Sequence, residues 1–243
     1  MSTITFDKWV ITRLLAHGAY AGKADDAPGR MMIEGLKRFQ AAEGLKITGT
    51  ANEATVAALR RTSAAPNATL LIAPAPPAEP IWMREARRYL GLREIAGRGS
   101  NSTIMSWARR LGGWVASFYT DDDIPWCGLA VAAWVAVTLP QEALPSNPLG
   151  ALNWRTFGIS LPAPSVGAIL VFKRPGGGHV GLYVGEDATH YHVLGGNQSN
   201  SVSITRIERS RLVAIRYPKT GGNPIGGRVH LSAKGVPVTK DEA

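Results

Sequence analysis

Apolar residues recur at helical spacing in three places between residues 1 and 61, and this spacing predicts three helices. Their apolar positions are Phe6, Val10, Ile11, Leu14 and Leu15 in the first helix, Ile33, Leu36 and Phe39 in the second, and Val56 and Leu59 in the third. Glycine-rich turns at 18–22 and 44–49 separate the helices, and Asn52 is placed to cap the third. The pattern predicts a small helical domain over residues 1–61.

From residue 81 helical spacing continues to residue 139, and short β-branched runs follow from residue 167. Helices are predicted over 82–90, 102–111 and 125–139, and strands over 167–172, 179–184, 190–194, 202–206 and 212–216. Helices followed by an antiparallel meander predict an α+β domain over residues 81–218.

Two segments lack a pattern that would fill a core. Residues 62–80 are dense in Ala and Pro, which is typical of an extended, semi-rigid linker. Residues 219–243 are rich in Gly, Lys and Pro and are predicted to form a flexible basic tail, with a short strand at 228–231.

Composition and charge narrow the function classes. The chain has 243 residues, of which 45% are hydrophobic and 19% charged, as in globular proteins. Its single cysteine excludes an internal disulfide framework. A formal net charge of +9 favours a polyanionic partner. Because Lys and Arg are scattered and no nucleic-acid-reading motif is present, an anionic cell-envelope surface is favoured over specific nucleic acid. We expect a monomer.

Cys127 is the first candidate for chemistry, because it directly precedes the apolar run of the long helix. The partial positive charge of a helix N-terminus is expected to lower the pKa of its thiol, and the helix N–H groups would receive an oxyanion. The acidic run 121–123 and Pro125 suit the start of that helix. The alternative is a buried core thiol.

His179 is the candidate base, since it begins a strand after a glycine-rich turn. Alternation places His179, Gly181 and Tyr183 on one side of that strand, where Gly181 would leave space for a ligand. Asn197, after the next strand, is the candidate group that orients the imidazole. Each alone has a plainer interpretation, as a loop histidine or a turn asparagine.

The first segment resembles the small helical peptidoglycan-binding domain that accompanies many cell-wall hydrolases. The resemblance rests on Gly18-x-Tyr20, Gly29, Phe39-Gln40, Gly44-Leu45, Gly49 and Thr55-x-x-x-Leu59. It departs from that family at Met32, where a helix-starting Thr is usual. The alternative is a helical spacer without a ligand.

The second segment resembles the NlpC/P60 and CHAP superfamily of papain-like cysteine peptidases and amidases. The motifs are Asp-x-x-Pro-Trp-Cys at 122–127, Gly-His-Val-Gly at 178–181 and Gly-Gly-Asn-Gln at 195–198. The resemblance implies that Cys127 attacks an amide carbonyl, that His179 moves the proton and that Asn197 orients His179. It implies no cofactor. Trp126, Gly181 and Tyr183 are expected to line the substrate site, with a core position as the alternative for Trp126.

Together these features predict an endolysin-type peptidoglycan hydrolase with peptidoglycan as its partner. The N-terminus lacks a secretory pattern, so we expect the protein in the host cytoplasm before lysis and then in the periplasm and wall. An exported wall-remodelling or toxin-type hydrolase and a non-catalytic wall-binding or virion structural protein remain alternatives. No metal is predicted: His190 and His192 with Asp187 lack a further zinc ligand, and the 121–123 run lacks the pattern of a calcium loop.

Overall fold

The computed structural model describes residues 4–22, 29–61, 78–231 and 238. In these ranges the helices are α1 (Phe6–Ala16), α2 (Arg30–Ala42), α3 (Glu53–Arg60), α4 (Ile81–Arg87), α5 (Ser102–Leu111), α6 (Gly113–Phe118) and α7 (Cys127–Thr138). The strands are β1 (Ile159–Ser160), β2 (Ile169–Arg174), β3 (Gly177–Glu186), β4 (His190–Gly195), β5 (Ser203–Glu208) and β6 (Leu212–Tyr217). Two short 3₁₀ helices lie at Ala151–Thr156 and Arg209–Arg211.

Helices α1 to α3 form the predicted helical domain around a small apolar core. Gln40 of α2 is fully buried, and its amide donates to Thr50 O (2.8 Å) and Thr55 Oγ1 (2.9 Å). The side chain of Asn52 caps α3 by accepting from Thr55 N, as predicted. Helix α2 starts without a side-chain cap, and Met32 is buried in the core instead.

The second domain is a six-stranded antiparallel sheet with helices against it, in the order β1-β6-β2-β3-β4-β5. Strands β2 to β5 form the predicted meander, and β6 returns to pair with β2. Helix α7 packs between β3 on one side and α4 and α5 on the other. Because it is enclosed on several sides, it is apolar around most of its circumference.

The prediction of a loosely ordered tail after residue 218 is wrong for residues 219–231. The buried carboxylate of Glu142 accepts hydrogen bonds from Lys219 N (3.0 Å) and Thr220 N (2.7 Å). Farther along, Leu231 N donates to Glu186 O (2.9 Å). The strand expected at 228–231 is reduced to one isolated bridge between His230 and Glu186. Specific backbone partners therefore hold a segment whose composition alone predicts disorder.

A buried ion cluster joins the two domains. Arg87 of α4 donates to both carboxylate oxygens of Asp7 in α1 (2.6 and 2.9 Å) and to Glu79 (2.9 Å). The ring of Phe6 lies under the same guanidinium, 5.1 Å away. Most of the predicted Ala/Pro linker, residues 62–77, lies outside the described residues.

Across the described part of the chain, we find no helix with the length and apolar character that crossing a bilayer requires.

Candidate active site

Cys127 is the first residue of α7, as the sequence predicts, but the acidic run does not cap the helix. The N-cap is Trp126, which makes no side-chain capping bond. Asp122 turns inward and accepts hydrogen bonds from Ile95 N (3.1 Å) and Asn101 N (2.7 Å). It is fully buried, so its carboxylate organises the 95–101 loop beside the helix start.

The environment of the Cys127 thiol is the opposite of the predicted one. Its side chain is buried, with 3% of the residue exposed. This burial raises the pKa of Cys127, and hydrogen bonding from the backbone N–H groups of Val180 and Gly128 opposes the rise only in part. The expectation of a lowered thiol pKa is therefore wrong, because desolvation outweighs the field of the helix.

Helix α7, which begins at Cys127, packs against β3, the strand that contains His179. His179 is fully buried, and its Nε2 lies 3.2 Å from Oε1 of Gln198. The Gln198 amide nitrogen donates to the carbonyls of Ser203 (2.6 Å) and Val193 (3.3 Å), so Oε1 is the atom that faces the imidazole. An acceptor at Nε2 requires the hydrogen there, which leaves the lone pair of the ring on Nδ1.

The acceptor of the Nε2–H hydrogen bond is thus Gln198, one residue after the predicted Asn197. The turn that contains both is unusual, because Asn197, Ser199 and Asn200 all have positive φ (55°, 51° and 58°). Such backbone is costly for residues other than glycine and is often found at functional sites. The Gly-Gly-Asn-Gln motif contains both amides, and both are buried, so the role predicted for Asn197 stays a prediction beside the observed bond to Gln198.

The absence of a side chain at Gly195 leaves space for the imidazole of His179. A Cβ on Gly195 would lie 2.8 Å from Gln198 Oε1 and 3.1 Å from His179 Nε2. Both are far closer than ordinary van der Waals contact, so the strand approaches the His179–Gln198 pair as only glycine allows.

The three residues predicted to line the substrate site serve internal packing instead. Trp126 is fully buried, and its indole N–H donates to Glu94 (3.0 Å). The space beside Gly181 is filled by β4, since a Cβ there would lie 2.5 Å from Val193 Cγ1. Tyr183 is also fully buried, and its hydroxyl accepts from Val229 N (3.0 Å). These placements favour the core alternative for Trp126 and correct the expectation of substrate contact for all three.

Comparison with known proteins gives a match in the helical domain that precedes the domain containing Cys127. Residues 8–59 match a family described as a putative peptidoglycan binding domain. The helical domain is thus similar to peptidoglycan-binding domains. The match spans α1 to α3 and supports peptidoglycan as a partner of the chain. No curated protein and no solved structure matches the chain.

The peptidoglycan-binding domain contacts the rest of the chain away from Cys127. A cavity of about 330 Å³ lies at the junction of the two domains and is lined by Asp7, Glu79, Arg87 and Val229, among others. Cys127, His179 and Gln198 are not part of its wall. The ligand-binding module and the candidate catalytic residues therefore occupy separate places on the molecule.

The histidines considered as zinc ligands form an ion cluster. Asp187 accepts from Arg206 Nε (2.7 Å) and lies 2.9 Å from His192 Nε2. The Arg206 guanidinium thus binds the Asp187 carboxylate that a zinc ion would need as a ligand. Among the described residues, the acidic run Asp121–Asp123 is the one group of three or more potential ligand side chains close together.

Proposed function

We propose that the chain is a peptidoglycan hydrolase that cuts an amide bond of the stem peptide or cross-link through Cys127, His179 and Gln198. The observation that carries the proposal is that α7, which begins at Cys127, packs against β3, the strand that holds His179, whose imidazole is hydrogen-bonded to Gln198. The peptidoglycan-binding domain supports the substrate class, because it holds the polymer on which the site would act.

In this mechanism the Nδ1 lone pair of His179 accepts the thiol proton as the sulfur attacks the amide carbonyl carbon. The N–H groups at the start of α7 would donate to the oxyanion of the tetrahedral intermediate. His179 then returns the proton to the leaving amine, and a thioester remains on Cys127. Water, deprotonated by His179, hydrolyses the thioester and releases the carboxylate and the free thiol.

The raised pKa of Cys127 decides the timing of the first step. Because burial raises the pKa of Cys127 and so favours the neutral thiol, the proposed mechanism has proton transfer to His179 accompany the attack. Burial also supports a second candidate function. A chain whose cysteine never meets a substrate would be a non-catalytic wall-binding or virion structural protein.

The cellular role that we propose is that of an endolysin. The protein would collect in the host cytoplasm and meet the wall once the inner membrane opens. The net charge of +9 would add attraction to the anionic envelope.

The test compares three proteins: the wild type, Cys127→Ala and His230→Ala. The last is a control for alanine substitution, because His230 is exposed and has no role in the proposed mechanism. We expect Cys127→Ala to lower the release of soluble fragments from purified peptidoglycan by at least ~10³-fold, because the nucleophile is gone. Binding to the polymer and the activity of His230→Ala should stay unchanged. Mass spectrometry of the fragments identifies the bond. Equal release by Cys127→Ala would refute the nucleophile, and binding without release by the wild type would favour the non-catalytic protein.

A further inference from the structure

Helix α6 carries two large aromatic side chains that the fold leaves in solvent. Trp114 is 48% exposed and Phe118 is 57% exposed. Their rings meet edge to face with centroids 6.0 Å apart. Exposed apolar residues on globular proteins are usually scattered singly, so an adjacent pair of this size is a candidate binding surface.

The pair is held in place by the residues around it. The indole N–H of Trp114 donates to Ser146 O (3.3 Å), which orients the ring. Val115, one residue after Trp114, is buried in the core, and the buried Tyr119 follows the helix. A fixed ring loses little conformational freedom when a ligand stacks on it, which favours binding.

The same contacts connect the pair to the candidate catalytic residues. The segment that accepts the Trp114 hydrogen bond continues over the start of α7, where a Cβ on Gly128 would overlap Pro148 O and lie 2.6 Å from Leu149 O. On the other flank, the Tyr119 hydroxyl donates to Ile124 O (2.8 Å), in the turn that leads to Cys127. The segment 146–149 and the turn at Ile124 therefore connect the Trp114–Phe118 pair with the start of α7, where Cys127 lies.

We propose that Trp114 and Phe118 form a subsite for sugar rings of the glycan strand whose stem peptide is cut at Cys127. This inference rests on the proposed function. The family match supports peptidoglycan as a partner of the chain, and the apolar C–H faces of its pyranose rings match flat aromatic rings in shape and polarity. Arg109 and Arg110, exposed at the end of α5 directly before α6, supply positive charge for the carboxylates of the polymer.

The first experiment measures binding without catalysis, in the full chain with Cys127→Ala. Glycan strands freed of stem peptides are titrated while the indole N–H resonance of Trp114 is followed by NMR. That resonance is identified by its absence in Trp114→Phe. We expect a saturable shift, and we expect Phe118→Ala to weaken the affinity read from it about tenfold, as loss of one stacking ring does elsewhere.

Three results would overturn the subsite. One is an unchanged Trp114 resonance while resonances of residues 8–59 shift. Another is a shift produced by phosphatidylglycerol vesicles but not by glycan, which would make the pair a membrane contact. The third is a shift that follows protein concentration alone, which would make it a contact between copies of this chain.

The second experiment uses chains that keep Cys127. Trp114→Ala should slow hydrolysis of whole peptidoglycan about tenfold but leave hydrolysis of a sugar-free cross-linked stem peptide within about twofold. Ile159→Ala, which removes an exposed apolar side chain elsewhere, is the control. Equal loss on both substrates would make Trp114 merely structural. If the wild type cuts neither substrate, the proposed function fails, and the titration still decides the subsite.

Discussion

The side chains around Cys127 show how local rules and burial compete for one thiol. The helix N-terminus and nearby N–H groups favour the thiolate, whereas burial favours the neutral thiol and prevails. At His179 the Nε2–H group donates to the amide oxygen of Gln198. The function of the site therefore depends on how firmly Gln198 holds the ring.

We expect Gln198→Ala to lower kcat for peptidoglycan hydrolysis by about 100-fold with little change in KM, because the imidazole loses its orienting acceptor. Gln198→Glu keeps an acceptor and adds negative charge, which stabilises the imidazolium. The acidic limb of its pH–rate profile should therefore move to higher pH, which a purely structural role would not cause. Asn197→Gly, which suits the left-handed backbone at this position, is the control. An equal loss in that control would return the orienting role to Asn197.

At the scale of elements, the pattern of apolar residues predicted the main helices and five strands, which correspond to β2, β3, β4, β5 and β6. It missed β1, which has two residues, and α6, which has six and starts directly after α5. Such short elements have too few positions to show a period. The close approach of residues 148–149 to the start of α7 could not be predicted either, because it is a contact between two segments that are distant in the sequence.

Gly128→Ala tests that approach. The added Cβ would overlap the backbone oxygen of Pro148 and crowd that of Leu149, and backbone yields less easily than a side chain. We expect the free energy of unfolding to fall by about 1–3 kcal/mol, as overpacking does elsewhere. Urea denaturation measures it, with Gly177→Ala as the control, since a Cβ there meets nothing within 4 Å. Equal stability of the two variants would contradict the close contact.

For the whole molecule, the decisive feature is the ion cluster between the domains. In it the Arg87 guanidinium pairs with two buried carboxylates, those of Asp7 and Glu79. Burial and then the charge of Asp7 raise the pKa of Glu79 to about 7, against the attraction of Arg87. Its protonated form is therefore favoured when the chain is folded.

This raised pKa gives stability a defined pH dependence. The contribution of Glu79 is fully present below its ordinary value of 4.5 and is lost as pH rises through about 7. We expect the free energy of unfolding to decrease from pH 5 to pH 8 in the wild type, and to decrease less in Glu79→Gln, which is neutral throughout. Glu34→Gln, on the surface of α2, is the control and should keep the wild-type slope. Identical slopes in all three proteins would show that Glu79 is ionised at every pH measured.

The sequence by itself determined the order of helices and strands, the cysteine at a helix start and the peptidoglycan-binding segment. These features depend on neighbours within a few positions, which the pattern of the chain records directly. The prediction that His179 begins a strand is wrong, because β3 already begins at Gly177. Only the tertiary structure decided that Gln198 faces His179, that Trp126 and Tyr183 are buried, that residues 219–231 are ordered and that Arg87 meets Asp7, 80 positions away. Each of these depends on contacts between distant segments, and burial in such contacts sets both side-chain exposure and pKa.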